Sequence, residues 1–392
     1  MRLPDREGVT FVQFSDKLLT PDSIMRNYYR QAYSKMDGYY FPEHFMEIPF
    51  WIPTIAGALP TQRYDKSLHI VQDLDATVET LQQKPDADHI LFSVMDANVR
   101  QVHHLAGKVD KQMVLGGYTD PAEFGSYPNV RYLNALGELT NVFEVHLDSP
   151  PDYSLFTGEK CIPRLTLSEG CLFRCTFCTV PTTLTIASPG RIQEQVEALK
   201  PLDFKLIFID DKSFGQARNW RSIREVSEQV RRYNQDFLGF IAQTPPTLAL
   251  KDGLMEEAVG MGVKYIEFGV ETVNDEHLVL FNKPYRLKHL DEACNRARKL
   301  GLKIIPNFIL GIPGDDYKAT IDWVRQNRDI IPVVNINFLA THFGNERGKL
   351  PWSPKTLGDR DQNVAQKSWL SQDDLVRMRN AMEEIYAITT GN

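Results

Sequence analysis

The sequence predicts an α/β protein in three parts: a doubly wound N-terminal domain, a partial (β/α)6 barrel and a C-terminal helical segment. Three observations support this prediction. Short apolar runs alternate with helical stretches along most of the 392 residues, which is typical of parallel βα units. Several runs are apolar on both faces, as expected for strands covered by helices on each side. Residues 149–152, Ser-Pro-Pro-Asp, form the clearest linker, so we place the domains at 1–150, 151–345 and 346–392.

The first domain is predicted from five short apolar runs. After the first of them comes a long aromatic-rich loop, and helices are expected near residues 50–59, after Asp73 and at 98–107. Gly116 and Gly117 close the fourth run. The five runs read as strands of one doubly wound parallel sheet. They are residues 9–14, 67–71, 89–94, 112–115 and 130–133.

Six further runs predict the barrel. Helical segments separate them, for example at 191–199, 220–233 and 287–300. Six βα units within about 180 residues favour a partial barrel over a closed eight-stranded one. The predicted strands are residues 164–168, 205–210, 237–243, 264–270, 303–310 and 333–339.

The C-terminal segment is predicted to end in an amphipathic helix. Ser371 and Asp374 have the spacing of a capping-box variant. Four apolar residues follow at helical spacing and are expected to pack against the core: Leu375, Met378, Met382 and Ile385. Two tryptophans of this segment, Trp352 and Trp369, either cover the barrel mouth or pack beneath it.

Composition excludes several classes of protein. With 42% apolar and 24% charged residues, the chain resembles ordinary globular proteins rather than disordered or fibrous ones. A net charge of −7 gives no general attraction to nucleic-acid phosphates. We find no apolar run of the roughly 18 residues that a membrane span needs, and no apolar core of a signal peptide near the start. We therefore expect a cytoplasmic protein without a membrane partner, and nucleic-acid binding, which would need a local basic patch, is not indicated.

Three of the five cysteines form a tight motif. Cys171, Cys175 and Cys178 directly follow the strand predicted at 164–168, at the rim where barrel enzymes place their chemistry. Three thiolates at this spacing can bind three irons of a [4Fe–4S] cluster and leave the fourth iron open to a small molecule. A structural zinc site needs a fourth ligand and normally has two separated cysteine pairs. Three buried structural cysteines are the remaining alternative.

The Cys-x3-Cys-x2-Cys run, with Phe177 before its last cysteine, resembles the radical S-adenosylmethionine superfamily. Residues 165–171, Leu-Thr-Leu-Ser-Glu-Gly-Cys, look like that family's first strand and turn, and the likeness extends over about residues 160–345. It implies that the open iron binds the amino and carboxylate groups of S-adenosylmethionine. One electron from an external donor of the flavodoxin or ferredoxin type then gives methionine and a 5′-deoxyadenosyl radical, which removes hydrogen from a substrate.

The same resemblance implies a set of S-adenosylmethionine residues. Glu271, in residues 266–272, matches the fourth-strand residue that reaches the ribose hydroxyls, and a carboxylate can accept from both of them. Gln243 occupies the place that contacts the methionine amino group, and Asp210 belongs to the acidic end of the second strand. Asn307 precedes a Gly-Ile-Pro-Gly turn near the adenine, and Phe177 completes the set. For each polar residue the alternative is a strand-end cap or a surface ion pair.

The first domain resembles the Rossmann-like, cobalamin-binding domain that precedes many of these enzymes. Ser93, Met95, Gly116 and Gly117 correspond to small-residue motifs that line the groove for the cobalamin nucleotide tail. Glycines at a strand end let a large ligand approach the backbone. We find no Asp-x-His-x-x-Gly motif for a lower cobalt ligand. The domain therefore either binds cobalamin without that histidine or keeps the fold as a scaffold without the corrinoid.

Three functions remain open at this point. The first is a radical S-adenosylmethionine enzyme that methylates an unactivated carbon with cobalamin. The second keeps the radical step without cobalamin, as in an isomerase or a mutase. The third, a non-catalytic metal-binding module, has less support, because six βα units exceed what a zinc-stabilised binder needs. The sequence identifies neither the substrate, whether small molecule or peptide, nor a residue that acts on it.

Overall fold

The computed structural model describes residues 6–19, 23–251, 253–340, 350–352, 355–360 and 366–391. These residues form two compact units. The first unit holds the described residues of Met1–Ser23, Phe41–Lys160 and Glu197–Asp203; the second holds those of Ile24–Tyr40, Cys161–Val196 and Phe204–Asn392. The predicted domain boundaries stay predictions, and the one at 345/346 lies outside the described residues.

The described residues contain parallel strands in both units and one short antiparallel pair. The strands are β1 (Glu7–Phe14), β2 (Tyr64–Val71), β3 (His89–Val94), β4 (Met113–Gly117), β5 (Val130–Leu133), β6 (Arg164–Leu165), β7 (Ser168–Glu169), β8 (Thr185–Ile186), β9 (Leu206–Ile209), β10 (Gly239–Thr244), β11 (Val263–Glu271), β12 (Lys303–Leu310) and β13 (Asn335–Phe338).

Helices connect most of these strands. They are α1 (Asp16–Leu19), α2 (Ser23–Ser34), α3 (Trp51–Ala58), α4 (Leu74–Gln83), α5 (Val99–Ala106), α6 (Pro189–Ala198), α7 (Ile223–Tyr233), α8 (Pro246–Ala249), α9 (Leu254–Gly260), α10 (Asp275–Leu280), α11 (Leu287–Lys299), α12 (Lys318–Gln326), α13 (Leu357–Arg360) and α14 (Gln372–Thr390). Among the described residues, no helix combines the length and apolar character that crossing a membrane requires.

The first unit contains the predicted doubly wound sheet. Its five strands are parallel and lie in the order β2-β1-β3-β4-β5. The strand order reverses between β1 and β3, and ligands of such sheets bind outside the carboxyl ends at that point. Residues 149–152, predicted as a linker, are fastened to this unit, because Asp152 Oδ2 accepts from Lys66 Nζ at 2.7 Å and Asp152 N donates to Pro53 O at 2.8 Å.

The predicted aromatic-rich loop after β1 is wrong in part, because it contains helix α2. Residues 24–40 belong to the second unit. There, tyrosines of α2 accept hydrogen bonds from backbone N–H groups along the outer edge of β13. The backbone N–H of Val334 donates to Tyr28 Oη at 3.0 Å, and that of Ile336 donates to Tyr29 Oη at 2.9 Å. The open edge of a sheet needs such partners. Single-sequence periodicity missed α2 because its tyrosines contact a strand about 300 residues away.

The second unit contains the predicted partial (β/α)6 barrel. Its six parallel strands follow chain order across the sheet, from β6 through β9, β10, β11 and β12 to β13. The strand predicted at 164–168 is shorter than expected, since β6 ends at Leu165. The chain instead enters the antiparallel pair β7–β8, which the sequence did not indicate.

The C-terminal segment packs at the carboxyl end of β12. Trp352 and Trp369 contact an apolar cluster that includes Phe281, Ile309 and Leu339, and Trp369 Nε1 donates to Gly311 O at 3.1 Å. The two tryptophans therefore lie at the mouth of the barrel, which is one of the two placements that the sequence left open. The predicted capping box is confirmed, because Ser371 and Asp374 bond each other's backbone N–H at 3.1 and 3.0 Å. Met378, Met382 and Ile385 are buried, whereas Leu375 is half-buried.

Candidate active site

The three cysteines lie on the loop of the β7–β8 hairpin. Gly170 begins this loop with φ +85°, and a Cβ there would overlap the carbonyl oxygen of Thr183 on the opposite side. Only glycine fits this left-handed, crowded position. Cys171 N donates to Pro181 O at 2.9 Å, which closes the base of the loop, and Cys178 N donates to Cys175 O at 3.2 Å. The hairpin therefore presents three free thiols from one short segment.

The surroundings of the thiols suit a sulfur-bound cluster. The backbone N–H of Val180 donates to Cys178 Sγ at 3.4 Å, and the Ser213 hydroxyl lies 3.5 Å from Cys171 Sγ. Such hydrogen bonds to sulfur are one way in which proteins set cluster potentials. Burial raises the pKa of Cys175 to about 11. Its thiolate thus needs a metal or a cation nearby, and metal coordination deprotonates a thiol.

The donor set fits a [4Fe–4S] cluster. Among the residues that the structure describes, no three His, Cys, Asp or Glu side chains are grouped as for a single metal ion. Each cysteine of a cubane binds a different iron, so the three thiols need not meet at one point. Cys171, Cys175 and Cys178 are all partly exposed on the loop, which leaves them accessible to such a group.

Phe177 and Glu271 line one cavity. Its volume is about 170 Å³, and Ile309 and Asn337 also line it, with residues 338–340. Phe177 packs edge-on against Phe281, with ring centroids 5.3 Å apart. Two residues that the sequence placed at S-adenosylmethionine are thus brought together beside the cysteine loop. Sequence analysis missed Asn337. The only feature that could have singled it out is that it is polar and lies within the strand predicted at 333–339.

Glu271 sits at an irregular strand end. The pairing of β11 with β12 shifts register between Gly269 and Glu271, and Glu271 has φ +60°. Its Oε1 accepts from Lys283 Nζ at 2.9 Å, and the two side chains are only 10% and 7% exposed. Among the described residues, none donates a hydrogen bond to Oε2, so this oxygen is available to one ribose hydroxyl. Sequence reasoning missed Lys283, which follows a short helix and belongs to no motif.

Gln243 and Asn307 face the same side of the barrel sheet as the cavity. Paired residues of neighbouring parallel strands point to one face, and so do residues two apart in a strand. Asn307 pairs with Gly269 and lies two residues before Ile309, which lines the cavity. Gln243 pairs with Glu267, which lies two residues before Gly269 in β11. Counted in paired positions on this face, Asn307 thus lies one step and Gln243 two steps further from the carboxyl edge than Ile309. Their contact with S-adenosylmethionine stays a prediction.

Asp210 is engaged by two cations. Its Oδ1 accepts from Arg164 Nη1 at 2.7 Å and from Lys212 Nζ at 2.9 Å. The ion-pair alternative is therefore present in the structure, and its cofactor role stays a prediction. The neighbouring Asp211 is 1% exposed and accepts from the backbone N–H groups of Leu167 and Ser168. Asp211 thus fastens the start of the cysteine hairpin to the end of β9, a role that the sequence did not reveal.

A second cavity lies at the carboxyl ends of β3 and β4 in the first unit. Its volume is about 380 Å³, within the range of small-molecule sites. Its walls are mostly apolar and include Trp51, Leu115, Leu133 and Leu139. Three of the residues predicted to line the cobalamin groove line this cavity: Ser93, Gly116 and Gly117.

The fourth predicted groove residue, Met95, lies beyond the lining and is 40% exposed. Asn98 shapes the turn between Ser93 and Met95, since Nδ2 donates to Ser93 O at 2.9 Å and Oδ1 accepts from Met95 N at 2.8 Å. An asparagine just before a helix is a cap signal, and this signal could have drawn attention to it. The roles of all four residues toward cobalamin stay predictions.

Comparison with known proteins points to one superfamily. Residues 165–326 match the family model described as "Radical SAM superfamily". The hopanoid C-3 methylase of Methylococcus capsulatus is 26% identical over 206 residues, which are 50% of this chain and 37% of that protein. The ribosomal protein uS12 methylthiotransferase RimO of Aliarcobacter butzleri is 24% identical over 196 residues, 46% of this chain and 44% of that protein. The chain thus spans less than half the length of these two relatives.

A solved structure extends the likeness to the whole fold. The radical S-adenosylmethionine methyltransferase TsrM from Kitasatospora setae, solved with cobalamin and a [4Fe–4S] cluster, superposes with a TM-score of 0.63. The match covers 98% of this chain and 89% of TsrM at 9% identity, so it concerns the fold. Residues 165–326 thus match the radical S-adenosylmethionine superfamily, whose enzymes use a [4Fe–4S] cluster and S-adenosylmethionine, and these residues include the three-cysteine hairpin at the mouth of the partial barrel.

Proposed function

We propose that this enzyme methylates an unactivated carbon of a small-molecule or peptide substrate and that it depends on cobalamin. The observation that carries the proposal is the cavity of about 380 Å³ at the carboxyl edge of the N-terminal sheet. The cavity lies where ligands of doubly wound sheets bind, outside the carboxyl ends of the strands. The relatives named as a methylase and a methyltransferase support the same reaction class.

The cavity has the features that a nucleotide tail requires. Gly116 carries no side chain, and the nearest atom to a Cβ placed there, Leu133 O, is 3.6 Å away. The glycine therefore leaves the cavity wall at the end of β4 without a side chain, and a Cβ there would make only an ordinary contact. Apolar walls such as Trp51 and Leu139 bury the faces of an aromatic base at a gain of roughly 25 cal/mol per Å². Tyr118 and Leu136, also in the lining, are 69% and 46% exposed, a normal sign of a ligand-binding surface.

The residues of the second unit have separate tasks. The three cysteines hold the cluster, while Phe177 and Glu271 border the cavity for S-adenosylmethionine. The bound cofactors supply a 5′-deoxyadenosyl radical and a transferable methyl group. Trp352 and Trp369 pack on the apolar cluster beside that cavity, where they help to exclude water. We also propose an external one-electron donor of the flavodoxin or ferredoxin type.

Gly116→Val tests the cobalamin site. The added side chain projects into the cavity, so the variant should lose at least nine-tenths of the corrinoid that the wild type retains after excess hydroxocobalamin is removed. Gly117→Val is a poorer test, because Gly117 has φ +137° and a Cβ would overlap Val94 O. Corrinoid absorbance per chain is the measurement, and iron content should not change.

Gly260→Val is the matched control. It makes the same substitution at a glycine of the second unit with open space around it, and corrinoid retention should equal that of the wild type. Equal retention by Gly116→Val would contradict the assigned site. If folded wild type retains no corrinoid, the first unit is a scaffold and the cobalamin-independent hydrogen-abstraction reaction replaces this proposal.

A further inference from the structure

Lys283 is a buried cation beside the cysteine loop. Its side chain is 7% exposed, and Nζ lies 2.9 Å from Glu271 Oε1. The same ammonium lies 5.7 Å from the ring centroid of Phe177 and 5.6 Å from that of Tyr285, within reach of cation–π attraction. Phe177 belongs to the three-cysteine motif itself. The cation is thus held between the end of β11 and the cluster-binding loop.

The surrounding backbone is shaped around this ion pair. A Cβ on Gly269 would come within 2.9 Å of Glu271 Oε1 and 3.4 Å of Lys283 Nζ, so the missing side chain leaves room for the pair. The Tyr285 hydroxyl donates to the carbonyls of Gly269 and Val270, which fixes the strand end. A mere surface ion pair would be exposed and mobile. This one is enclosed and held on several sides.

The lysine is charged despite its burial. Burial by itself lowers the pKa of an ammonium, but the Glu271 carboxylate and the side chains of Cys175 and Cys178 together outweigh this effect, so the pKa of Lys283 is raised. Lys283 Nζ lies over the ring of Phe177, the residue that directly precedes Cys178. The ammonium therefore places its positive charge beside the cysteine loop.

We propose that Lys283 is a positioning residue whose fixed charge makes the [4Fe–4S] cluster easier to reduce. The inference rests on the assignment of the three cysteines as cluster ligands. One electron passes from an external reductant to the cluster, which becomes one unit more negative, and no bond of the protein forms or breaks. Net charge and burial around a cluster set its reduction potential. A buried cation acts strongly because the low-dielectric interior screens it poorly.

The test compares reduction midpoints by EPR-monitored titration with dithionite. Lys283→Met and Lys283→Gln remove the charge, whereas Lys283→Arg keeps it. We expect both neutral variants to keep about four irons per chain but to show, at the wild-type midpoint potential, a reduced-to-oxidised ratio at least tenfold lower. For a one-electron couple this corresponds to a shift of 59 mV to more negative potential. Lys283→Arg should stay near the wild-type midpoint.

Lys264→Met is the matched control, because Lys264 is an exposed lysine of the same strand as Glu271; its midpoint should not change. The proposal is overturned if either neutral variant holds a full cluster at the wild-type midpoint. It is also overturned if neither neutral variant binds iron while Lys283→Arg does, since the residue then serves assembly of the site. Failure of the wild type to bind a cluster would instead refute the cluster assignment itself.

Discussion

Replacing Cys171, Cys175 and Cys178 together by Ala should abolish cluster binding. Anaerobically reconstituted wild type should hold about four irons and four sulfides per chain, and the triple variant should hold almost none. The physical reason is that all three predicted protein ligands lie on the loop of the β7–β8 hairpin. Iron and sulfide analysis with the visible absorption spectrum is the measurement.

The double variant Cys161→Ala, Cys294→Ala is the control for this experiment. Both thiols are buried, at 0% and 1% exposure, and alanine fills most of their volume, so iron content should stay at the wild-type level. Retention of iron by the triple variant would contradict the ligand assignment. Stoichiometric zinc in anaerobically prepared wild type would do the same.

Gly170→Ala should disrupt the cysteine loop without touching a ligand. The new methyl group overlaps the carbonyl oxygen of Thr183, which is backbone and cannot rotate away. The opposing sides of the hairpin must separate, and Cys171 moves with its neighbour. We expect reconstituted iron to fall at least fivefold while the far-UV circular dichroism of the chain is preserved.

Gly158→Ala separates the overlap from backbone strain. Gly158 has φ +79°, close to the +85° of Gly170, but a Cβ there meets no atom within 4 Å. Both variants bear the cost of a left-handed alanine, about 1–2 kcal/mol, and only Gly170→Ala adds the overlap. Iron content in Gly158→Ala should therefore match the wild type. An equal loss in both variants would show that general destabilisation, rather than the hairpin, controls cluster binding.

The strands of both sheets could be predicted because burial imposes a local pattern. Residues 303–310 are mostly apolar, and β12 has these bounds. The terminal helix was predictable for a similar reason, since the reciprocal cap of Ser371 and Asp374 lies within four residues. Such features depend on neighbours in sequence. They are visible without any knowledge of tertiary contacts.

Features that depend on distant contacts could not be predicted. Helix α2 was expected to be a loop, because its tyrosines bond to β13 across more than 300 residues. The strands β6, β7 and β8 have two residues each. Two residues are too few to show the alternation of apolar and polar side chains that marks a strand. The register between two strands cannot be read from the sequence of one strand. The pairing of Gln243 with Glu267 was therefore visible only in the structure.

The candidate site also contains residues that the sequence could predict and residues that only the folded structure reveals. Cysteine spacing predicted a cluster-binding loop, and the resemblance singled out Phe177 and Glu271, which share a cavity. Lys283 is 12 residues from Glu271 and at no motif position, so only the ion pair reveals it. Asp210 was predicted to contact S-adenosylmethionine, with a strand-end cap or a surface ion pair as the alternative, and Arg164 and Lys212 both contact it. Side-chain partners of this kind are set by folding rather than by spacing.

Cleavage of S-adenosylmethionine by the cluster-loaded enzyme tests the central claim most directly. The reconstituted full chain is mixed anaerobically with S-adenosylmethionine and dithionite, and the products are separated by liquid chromatography. The account predicts 5′-deoxyadenosine and methionine in equal amounts, formed in proportion to the iron content of the preparation. Intact S-adenosylmethionine in the presence of a fully loaded, reduced cluster would contradict it.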